Sequence, residues 1–247
     1  MKIAGIIAEY NPFHNGHAYH LTQTRAAGAD LVAVVMSGNF VQRGGPALCD
    51  KWTRAKMAME AGADLVVELP VYWAMAPAER FAMGAARILA ALGINLLSFG
   101  CESGSALPLA EAAESMRSEA FQSRLKAALS KGISYPRAVS EAAGKYSPLL
   151  QTPNNALAIE YILAFSRLNW PVELLGVSRS VPHDSNQTAE GIASASHLRF
   201  LIENSGAESV TEFMPPYAWR LLKEAVDKGT APASPARLER ALLAALR

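Results

Sequence analysis

The sequence predicts an α/β fold in which an open parallel sheet carries helices on both faces. Two observations lead to this prediction. Short runs rich in Val, Ile and Leu alternate with longer helical patterns over the first hundred residues, and the runs are apolar throughout. Such runs are typical of strands buried on both faces, as in βαβ units. We also expect a helical insertion and a helical C-terminal tail.

The predicted elements alternate in order along the chain. Strands are predicted at residues 3–8, 31–36, 65–69, 96–99 and 171–177. Helices are predicted at residues 16–27, 50–61, 78–91 and 154–168. Asp50 is a suitable N-cap, because its carboxylate can accept hydrogen bonds from the first amides of a helix. Gly62 and Gly93 stand where helix C-caps are expected.

Composition changes along the chain predict two domains. Residues 1–206 are expected to form the sheet domain, and residues 207–247 a helical extension. From about 105 to 150 the chain is rich in Ala, Ser, Glu, Lys and Arg, which predicts an insertion of two or three amphipathic helices. In the extension, four prolines are expected to break helices: Pro215, Pro216, Pro232 and Pro235.

The bulk composition excludes several classes of protein. The 247 residues are 51% apolar with a formal charge of +1, so the chain is neither disordered in bulk nor strongly basic. That balance permits RNA as a partner without indicating it. Cys49 and Cys101 lack metal-ligand spacing and suit a reducing compartment. The start does not resemble a cleaved leader and no long apolar segment occurs, so we expect a cytoplasmic protein that does not bind membranes.

The segment IIAEYNPFHNGHAYH, residues 6–20, joins the first strand to the first helix. Ligands of open parallel sheets gather at the carboxyl ends of strands, and a helix N-terminus there favours an anion. Gly16 permits close approach by a phosphate, while His14 and His17 can donate to its oxygens. Adenylyl transfer needs donors placed where charge accumulates. The segment therefore predicts a nucleotide phosphate site.

Two other interpretations of this segment remain open. In the first, Pro12 and Asn15 fix a structural turn and the histidines only cap the helix. In the second, His14, His17 and His20 bind zinc. Only the last two could share a helix face, and no Cys or nearby carboxylate completes the ligand set. We therefore predict no protein metal site.

A second phosphate element is predicted in GIASASHLR, residues 191–199. Ser194 or Ser196 can cap the helix that follows, and their hydroxyls and the first amides can contact phosphate. Arg199 lies one turn inside that helix and can pair with phosphate oxygens. The alternative is an ordinary helix capped by serine.

The combination of NPFHNGH after the first strand and IASASHLR late in the chain resembles the HIGH-motif nucleotidylyltransferase superfamily, which has a Rossmann-like fold. Three further stretches resemble the bacterial tRNA(Met) cytidine acetate ligase family: the long run from VVMSGNFVQRGG to LVVELP, then LLSFGCE, then TPNNALAIEY. The resemblance implies that ATP and acetate form acetyl-adenylate, and that the acetyl group passes to N4 of the wobble cytidine of elongator tRNA(Met). It implies Mg²⁺ with ATP.

The resemblance also implies roles for particular residues. His14 and His17 would be catalytic. The expected ATP-binding loop contains Ile7, Ala8, Glu9, Tyr10, Asn11, Pro12, Phe13, His14, Asn15, Gly16, His17 and His20. The other expected ATP contacts are Gly100, Asn154 or Asn155, Arg179, Ser196 and Arg199. The segment VSRSVPHDS around Arg179 is shorter than its family counterpart and lacks a tyrosine.

Basic residues outside the first loop are candidates for RNA contact. These are Arg43 and Lys51 near the second strand end and Lys126 and Lys131 in the insertion. The alternative is that such charges, with Asp50, Arg54 and Lys56, belong to solvated helix faces.

Tyr72, Trp73 and Met75 are candidates for an apolar pocket that accepts an acetate methyl group, with core packing as the alternative. Two other functions remain open for the chain as a whole. One is a nucleotidylyltransferase that acts on a small metabolite without RNA, and the other is a module that binds nucleotide or RNA without turnover.

Overall fold

The fold is built on one parallel sheet, seen in a computed structural model that describes residues 1–178 and 191–246, with backbone only at 240–242. The strands are β1 (Ile3–Ala8), β2 (Leu31–Ser37), β3 (Leu65–Leu69), β4 (Leu96–Cys101) and β5 (Glu173–Ser178). Their order in the sheet is β3-β2-β1-β4-β5, and each neighbouring pair is parallel. The predicted fold class is confirmed.

Helices connect and cover the strands. Those of the first half are α1 (Asn15–Ala26), α2 (Lys51–Glu60), α3 (Val71–Ala74) and α4 (Ala78–Ala91). Those that follow are α5 (Leu107–Arg117), α6 (Glu119–Leu129), α7 (Tyr135–Ala143), α8 (Pro153–Arg167), α9 (Ala195–Ser205), α10 (Pro216–Asp227) and α11 (Pro235–Ala245). The short helix α3 was not predicted, because four residues are too few to show a helical period.

The sheet is buried on both faces because its strands alternate between two cores. On β2, Val32 and Val34 face a core shared with α1, α2, α9 and α10. Ala33 and Val35 face the other core, which contains α4, α5 and α8. Successive side chains of a strand point to opposite faces, so a strand covered on both sides must be apolar at every position.

The insertion and the C-terminal residues are helical, as predicted. The insertion contains three helices, α5 to α7, and a 3₁₀ segment at Gly144–Gln151. Pro216 and Pro235 are the first residues of α10 and α11 rather than helix breakers, because the first turn of a helix does not need their missing N–H groups. Residues after 206 pack, through Val210 and Phe213, into the core that contains Val32 and Val34.

The strand order places a ligand crevice between β1 and β4. The chain proceeds from β1 to β2 and β3 on one side, then returns to add β4 and β5 on the other side of β1. The connections leave the carboxyl ends of β1 and β4 in opposite directions, and the gap between them is where such sheets bind ligands. In the described part of the chain, no helix is long and apolar enough to cross a bilayer.

Candidate functional site

A cleft of about 740 Å³ lies at the carboxyl ends of β1 and β4. Its floor is formed by Ile7 and Ala8 of β1 and by Phe99 and Gly100 of β4. The loop after β1, the loop after β2 and the first turns of α4 and α8 form its walls. The cleft therefore occupies the crevice that the strand order predicts.

His14 and His17 cap helix α1 with one nitrogen of each ring. The Nδ1 atom of His14 accepts a hydrogen bond from the amide of Gly16 at 3.1 Å. The Nδ1 atom of His17 accepts from the amide of His14 at 3.2 Å. The two imidazoles stack with their centroids 3.7 Å apart. The capping interpretation is thus correct for the Nδ1 atoms of both histidines. The Nε2 atoms take no part in these capping bonds.

The capping bonds fix the tautomer of both histidines. A backbone amide can only donate, so each Nδ1 must be unprotonated in these bonds and Nε2 must carry the ring proton. Both rings line the cleft at the N-terminus of α1, where the helix dipole favours an anion. The first loop therefore brings two stacked imidazoles and a helix N-terminus to the cleft.

Gly16 leaves room for the imidazole of His14. A Cβ atom at this position would lie 2.9 Å from Cε1 of His14. A larger residue would therefore collide with the ring, so the glycine permits the arrangement of the histidines, and the predicted approach of a phosphate stays a prediction. His20 forms a hydrogen bond with the sheet, because its Nε2 lies 2.8 Å from the hydroxyl of Ser98 on β4.

Hydrogen bonds from distant segments anchor the first loop. Asn11 is buried, and its Oδ1 accepts from the amide of Leu48 at 2.7 Å, while its carbonyl accepts from Nη1 of Arg199 at 2.7 Å. The side chain of Asn15 donates to the carbonyls of Gly191 at 2.8 Å and Glu212 at 3.0 Å. These contacts hold the histidines in a rigid frame.

Arg54 is wholly buried, so the prediction of a solvated face is wrong for this residue. Its Nη1 donates to the carbonyls of Glu9 at 2.6 Å and Ser37 at 3.1 Å. Its Nε donates to Cys49 at 3.1 Å, and Nη2 donates to the carbonyl of Gly38. Burial lowers the pKa of the guanidinium. Arg54 therefore joins the carboxyl ends of β1 and β2.

Glu102, just after β4, forms different hydrogen bonds with Asn154 and Asn155, the two asparagines predicted to contact ATP. Asn155 is buried, and its Oδ1 accepts from the amides of Glu102 at 2.9 Å and Ser103 at 3.2 Å. The Glu102 carboxylate accepts from Nδ2 of Asn154 at 2.5 Å and from the amide of Asn155 at 2.9 Å. Asn154 lines the cleft. Because the carboxylate holds Nδ2, the Oδ1 atom of Asn154 remains as its acceptor for a ligand.

The late serine element caps α9 through Ser194 rather than Ser196. The Ser194 hydroxyl accepts from the amide of His197 at 3.1 Å and lies 3.0 Å from the Ser196 hydroxyl. Arg199 lines the cleft while it holds the carbonyl of Asn11. This element therefore meets the first loop directly.

The structure brings most of the predicted nucleotide contacts to one cleft. Those that line it are Ile7, Ala8, Glu9, Tyr10, Asn11, His14, His17, His20, Gly100, Asn154 and Arg199. Those that do not line it are Pro12, Phe13, Asn15, Gly16, Asn155 and Ser196. Phe13 is fully buried in the core. Arg179 lies outside the described residues.

The candidates for RNA contact lie in different places. Arg43 lines the cleft from the loop after β2. Lys51, at the start of α2, forms an ion pair with Glu68 at 2.5 Å. Lys126 and Lys131 are exposed on the insertion and do not line the cleft.

The aromatic segment after β3 does not form the predicted acetate pocket. Tyr72 and Met75 are exposed, so core packing is also wrong for them, and none of Tyr72, Trp73 and Met75 lines the cleft.

Several residues of the cleft were missed at the level of sequence. Phe81 of α4 and Tyr161 of α8 form an apolar wall, with their ring centroids 6.5 Å apart. Residues 232–235 and Arg237 lie at its rim. Nothing local in the sequence connects these positions. Among residues 1–178 and 191–246, no group of three or more His, Cys, Asp and Glu could hold a metal ion, so the zinc interpretation has no support there.

Fold and cleft define an α/β protein of Rossmann-like topology, with two histidines at a helix N-terminus at the switch point of its sheet. The sequence profile described as HIGH Nucleotidyl Transferase matches residues 1–247. The chain therefore belongs to the HIGH nucleotidyl transferase family, which confirms the predicted superfamily.

The individual relatives that match this chain have names that specify a reaction within that family. A tRNA(Met) cytidine acetate ligase from Caldicellulosiruptor saccharolyticus is 43% identical over 241 residues, covering 95% of this chain and 60% of the relative. The chain spans about three-fifths of the length of the curated relatives that it matches first. The predicted resemblance to these ligases is confirmed.

Two crystal structures of Thermotoga maritima TmcAL share the fold. The apo structure has a TM-score of 0.88 and 33% identity, covering 95% of this chain and 59% of that one. The structure bound with alpha-thio ATP has a TM-score of 0.86 and 33% identity, covering 95% and 58%. A relative with this fold therefore holds an ATP analogue.

Proposed function

We propose that this chain activates acetate with ATP and transfers the acetyl group to N4 of the wobble cytidine of elongator tRNA(Met). The names of relatives at about 40% identity support this assignment, as does the relative bound with alpha-thio ATP. The alternative of a transferase for a small metabolite has no matching relative among those described above.

The stacked pair of His14 and His17 is the observation that carries the proposal. In the first step, a carboxylate oxygen of acetate attacks the α-phosphorus of ATP. The bond from that phosphorus to the oxygen bridging to the β-phosphate breaks, and pyrophosphate leaves with the electron pair. Donors held at the N-terminus of α1 stabilise the charge that accumulates on these oxygens. The two Nε2–H groups are such donors, and their capping bonds hold them ready.

In the second step, the exocyclic amine of cytidine attacks the carbonyl carbon of acetyl-adenylate. A C–N bond forms, the C–O bond to AMP breaks, and the amine loses one proton to water or to the leaving phosphate. The cleft must admit a base taken out of its stack for this reaction. The apolar wall of Phe81 and Tyr161 is suited to a planar base or to a small methyl group.

ATP is proposed to lie across β1 and β4. Gly100 permits its approach, Asn154 supplies an acceptor, and Arg199, Ser196 and Arg179 steady it from the late segments. Mg²⁺ neutralises phosphate charge when it accompanies ATP. Glu9 is the carboxylate that lines the cleft from the first loop, and one of its oxygens accepts from the amide of Gln42. A single carboxylate fits an ion held mostly by phosphate oxygens and water.

The remaining proposals concern the domains of the chain, its location in the cell and its contacts with RNA. We propose that residues 1–206 form the nucleotide-binding domain and 207–247 a helical extension, and that the protein works in the cytoplasm. Arg43, Lys51, Lys126 and Lys131 remain proposed RNA contacts.

The test of the function has two parts. Purified protein should catalyse exchange of labelled pyrophosphate into ATP only when acetate is present. Mass analysis of the nucleosides of tRNA(Met) incubated with protein, ATP and acetate should then show N4-acetylcytidine at the wobble position. Binding of ATP without acetate-dependent exchange would reject acetate as substrate. Exchange without acetylated cytidine would favour a different acceptor.

A further inference from the structure

Two exposed aromatic rings lie on α2 and α3, the helices that follow the neighbouring strands β2 and β3. Trp52, in the first turn of α2, is 71% exposed, and Tyr72, on α3, is 64% exposed. Val71 and Met75 beside Tyr72 are also exposed. Val71, Tyr72 and Met75 are neighbours on and directly after α3, and large exposed apolar side chains that lie together commonly mark an interaction site.

A cationic side chain lies over each of these two rings in a cation–π contact. The Lys51 ammonium lies 5.3 Å from the centroid of Trp52, and the Arg80 guanidinium lies 4.7 Å from the centroid of Tyr72. Arg80 also donates to the Tyr72 hydroxyl. Trp73 packs where Gly84 of α4 leaves room, and this contact seats α3 on α4. The rings are therefore held in place, and positive charge lies next to them.

Two contacts relate these rings to each other and to the cleft. Lys51 pairs with Glu68 of β3, which ties the start of α2 to the strand that leads into α3. Ala78 and Phe81 of α4 line the cleft, and Arg80 of the same turn stacks on Tyr72. A polymer that places one residue in the cleft would therefore pass the turn of α4 on which Tyr72 is held.

We propose that Trp52 and Tyr72 form a stacking platform for unpaired bases of an RNA loop, adjacent to the base that enters the cleft. The proposal rests on the proposed function, because it concerns how the acceptor RNA is held. Proteins recognise RNA loops by stacking splayed bases on aromatic and arginine side chains. The cations suit the phosphates that accompany such bases. We refer to these two residues with Lys51 and Arg80 as the platform.

Exposure alone does not define the platform. Tyr135 on α7 is 57% exposed, similar to Tyr72. Its surroundings are different. Partial burial, then the charges of Glu79 and Glu160, raise the pKa of its hydroxyl, while Arg167 opposes the shift. Within the described residues no cation is stacked on the Tyr135 ring, whereas Arg80 is stacked on Tyr72, so Tyr135 is a matched control for Tyr72.

The experiment measures binding of a fluorescent RNA hairpin, whose unpaired loop contains cytidine, by anisotropy. Trp52→Ala and Tyr72→Ala should each weaken binding by about 5- to 100-fold, because base stacking on one ring has that range of effect. Tyr72→Phe should retain binding, because it keeps the ring. Tyr135→Ala should bind as the unmodified protein does, and a fully paired RNA duplex should respond little to any of these changes.

Acetate-dependent exchange of pyrophosphate into ATP, measured on the same preparations, separates the two proposals. Equal hairpin binding by the alanine variants and the unmodified protein would overturn the platform while leaving the proposed function intact. Failure of the unmodified protein to bind the hairpin would also overturn it. If the unmodified protein shows no acetate-dependent exchange, that result would count against the proposed function and not against the platform. Normal exchange in the variants shows that the sheet domain is folded.

Discussion

The guanidinium Nη1 of Arg54 lies 2.6 Å from the main-chain oxygen of Glu9, inside the protein. Glu9 follows β1 directly, and the same guanidinium also binds the end of β2 through Ser37. The adjacent strand ends that support the first loop are therefore fixed by one side chain. A positioning role of this kind can be separated from direct contact with nucleotide.

Replacing Arg54 by methionine should lower the free energy of unfolding by about 2–4 kcal/mol, because several buried carbonyls lose their donor. Arg54→Lys should recover part of this, since one ammonium cannot reach all four oxygens. Urea denaturation measures both. Arg220→Met, which removes an exposed ion pair with Glu60, is the control and should cost less than about 1 kcal/mol. Equal effects of Arg54→Met and Arg220→Met would contradict the positioning role.

His14→Asn should separate helix capping from catalysis. Asparagine is a strong N-cap, so the fold should change little, but the Nε2–H donor is lost. We expect kcat of acetate-dependent exchange to fall by about 100- to 1000-fold with a small change in ATP affinity. Steady-state kinetics and calorimetric titration with ATP provide the two numbers. A parallel loss of ATP affinity and rate would indicate a binding role instead.

Asn154 and Asn155 should behave differently when each is replaced by alanine. Asn154→Ala should weaken ATP binding by about tenfold, the effect of one good hydrogen bond, with little loss of stability. Asn155→Ala should lower the free energy of unfolding by about 1–3 kcal/mol, because the buried amides of Glu102 and Ser103 lose their acceptor. Titration with ATP and urea denaturation of both variants check this. The reverse pattern would refute the assignment of roles.

Glu160 provides a prediction about pH. Burial, and then the charge of Glu79, raise the pKa of Glu160, while Arg167 opposes the shift. A carboxyl whose pKa is raised by folding costs stability when ionised, and this cost vanishes as pH falls below its unfolded value. Glu160→Gln should therefore raise the melting temperature at neutral pH, with a gain that disappears on acidification. Glu111→Gln on the exposed face of α5 should show no such trend.

The five strands could be predicted because each is a short, mainly apolar run; β1, β2 and β4 are largely buried, whereas the edge strands β3 and β5 are partly exposed. β1 and β3 have the predicted bounds, and the others differ by one or two residues at their ends. The first loop was also predictable, because the sequence shows directly that His14 and His17 follow a strand. Local pattern was sufficient for these features.

Tertiary contacts decide the remaining features. The burial of Arg54 depends on carbonyls of two strand ends that no local pattern connects. The different roles of Asn154 and Asn155 depend on Glu102, more than fifty positions away in sequence. The close contact of Gly16 with the His14 imidazole likewise depends on the folded loop, and a sequence cannot show it.

The rim of the cleft has a consequence for synthesis of the protein. The amide of Ala233 donates to the carbonyl of Leu48 at 2.7 Å, and residues 232–235 close one side of the opening. The floor comes from the first hundred residues, but this side comes from chain made more than a hundred residues later. Since proteins are made from the N-terminus, a ribosome-bound chain that stops before residue 232 has the histidines but an incomplete opening. The cleft is therefore completed only after the chain has been made as far as residue 235.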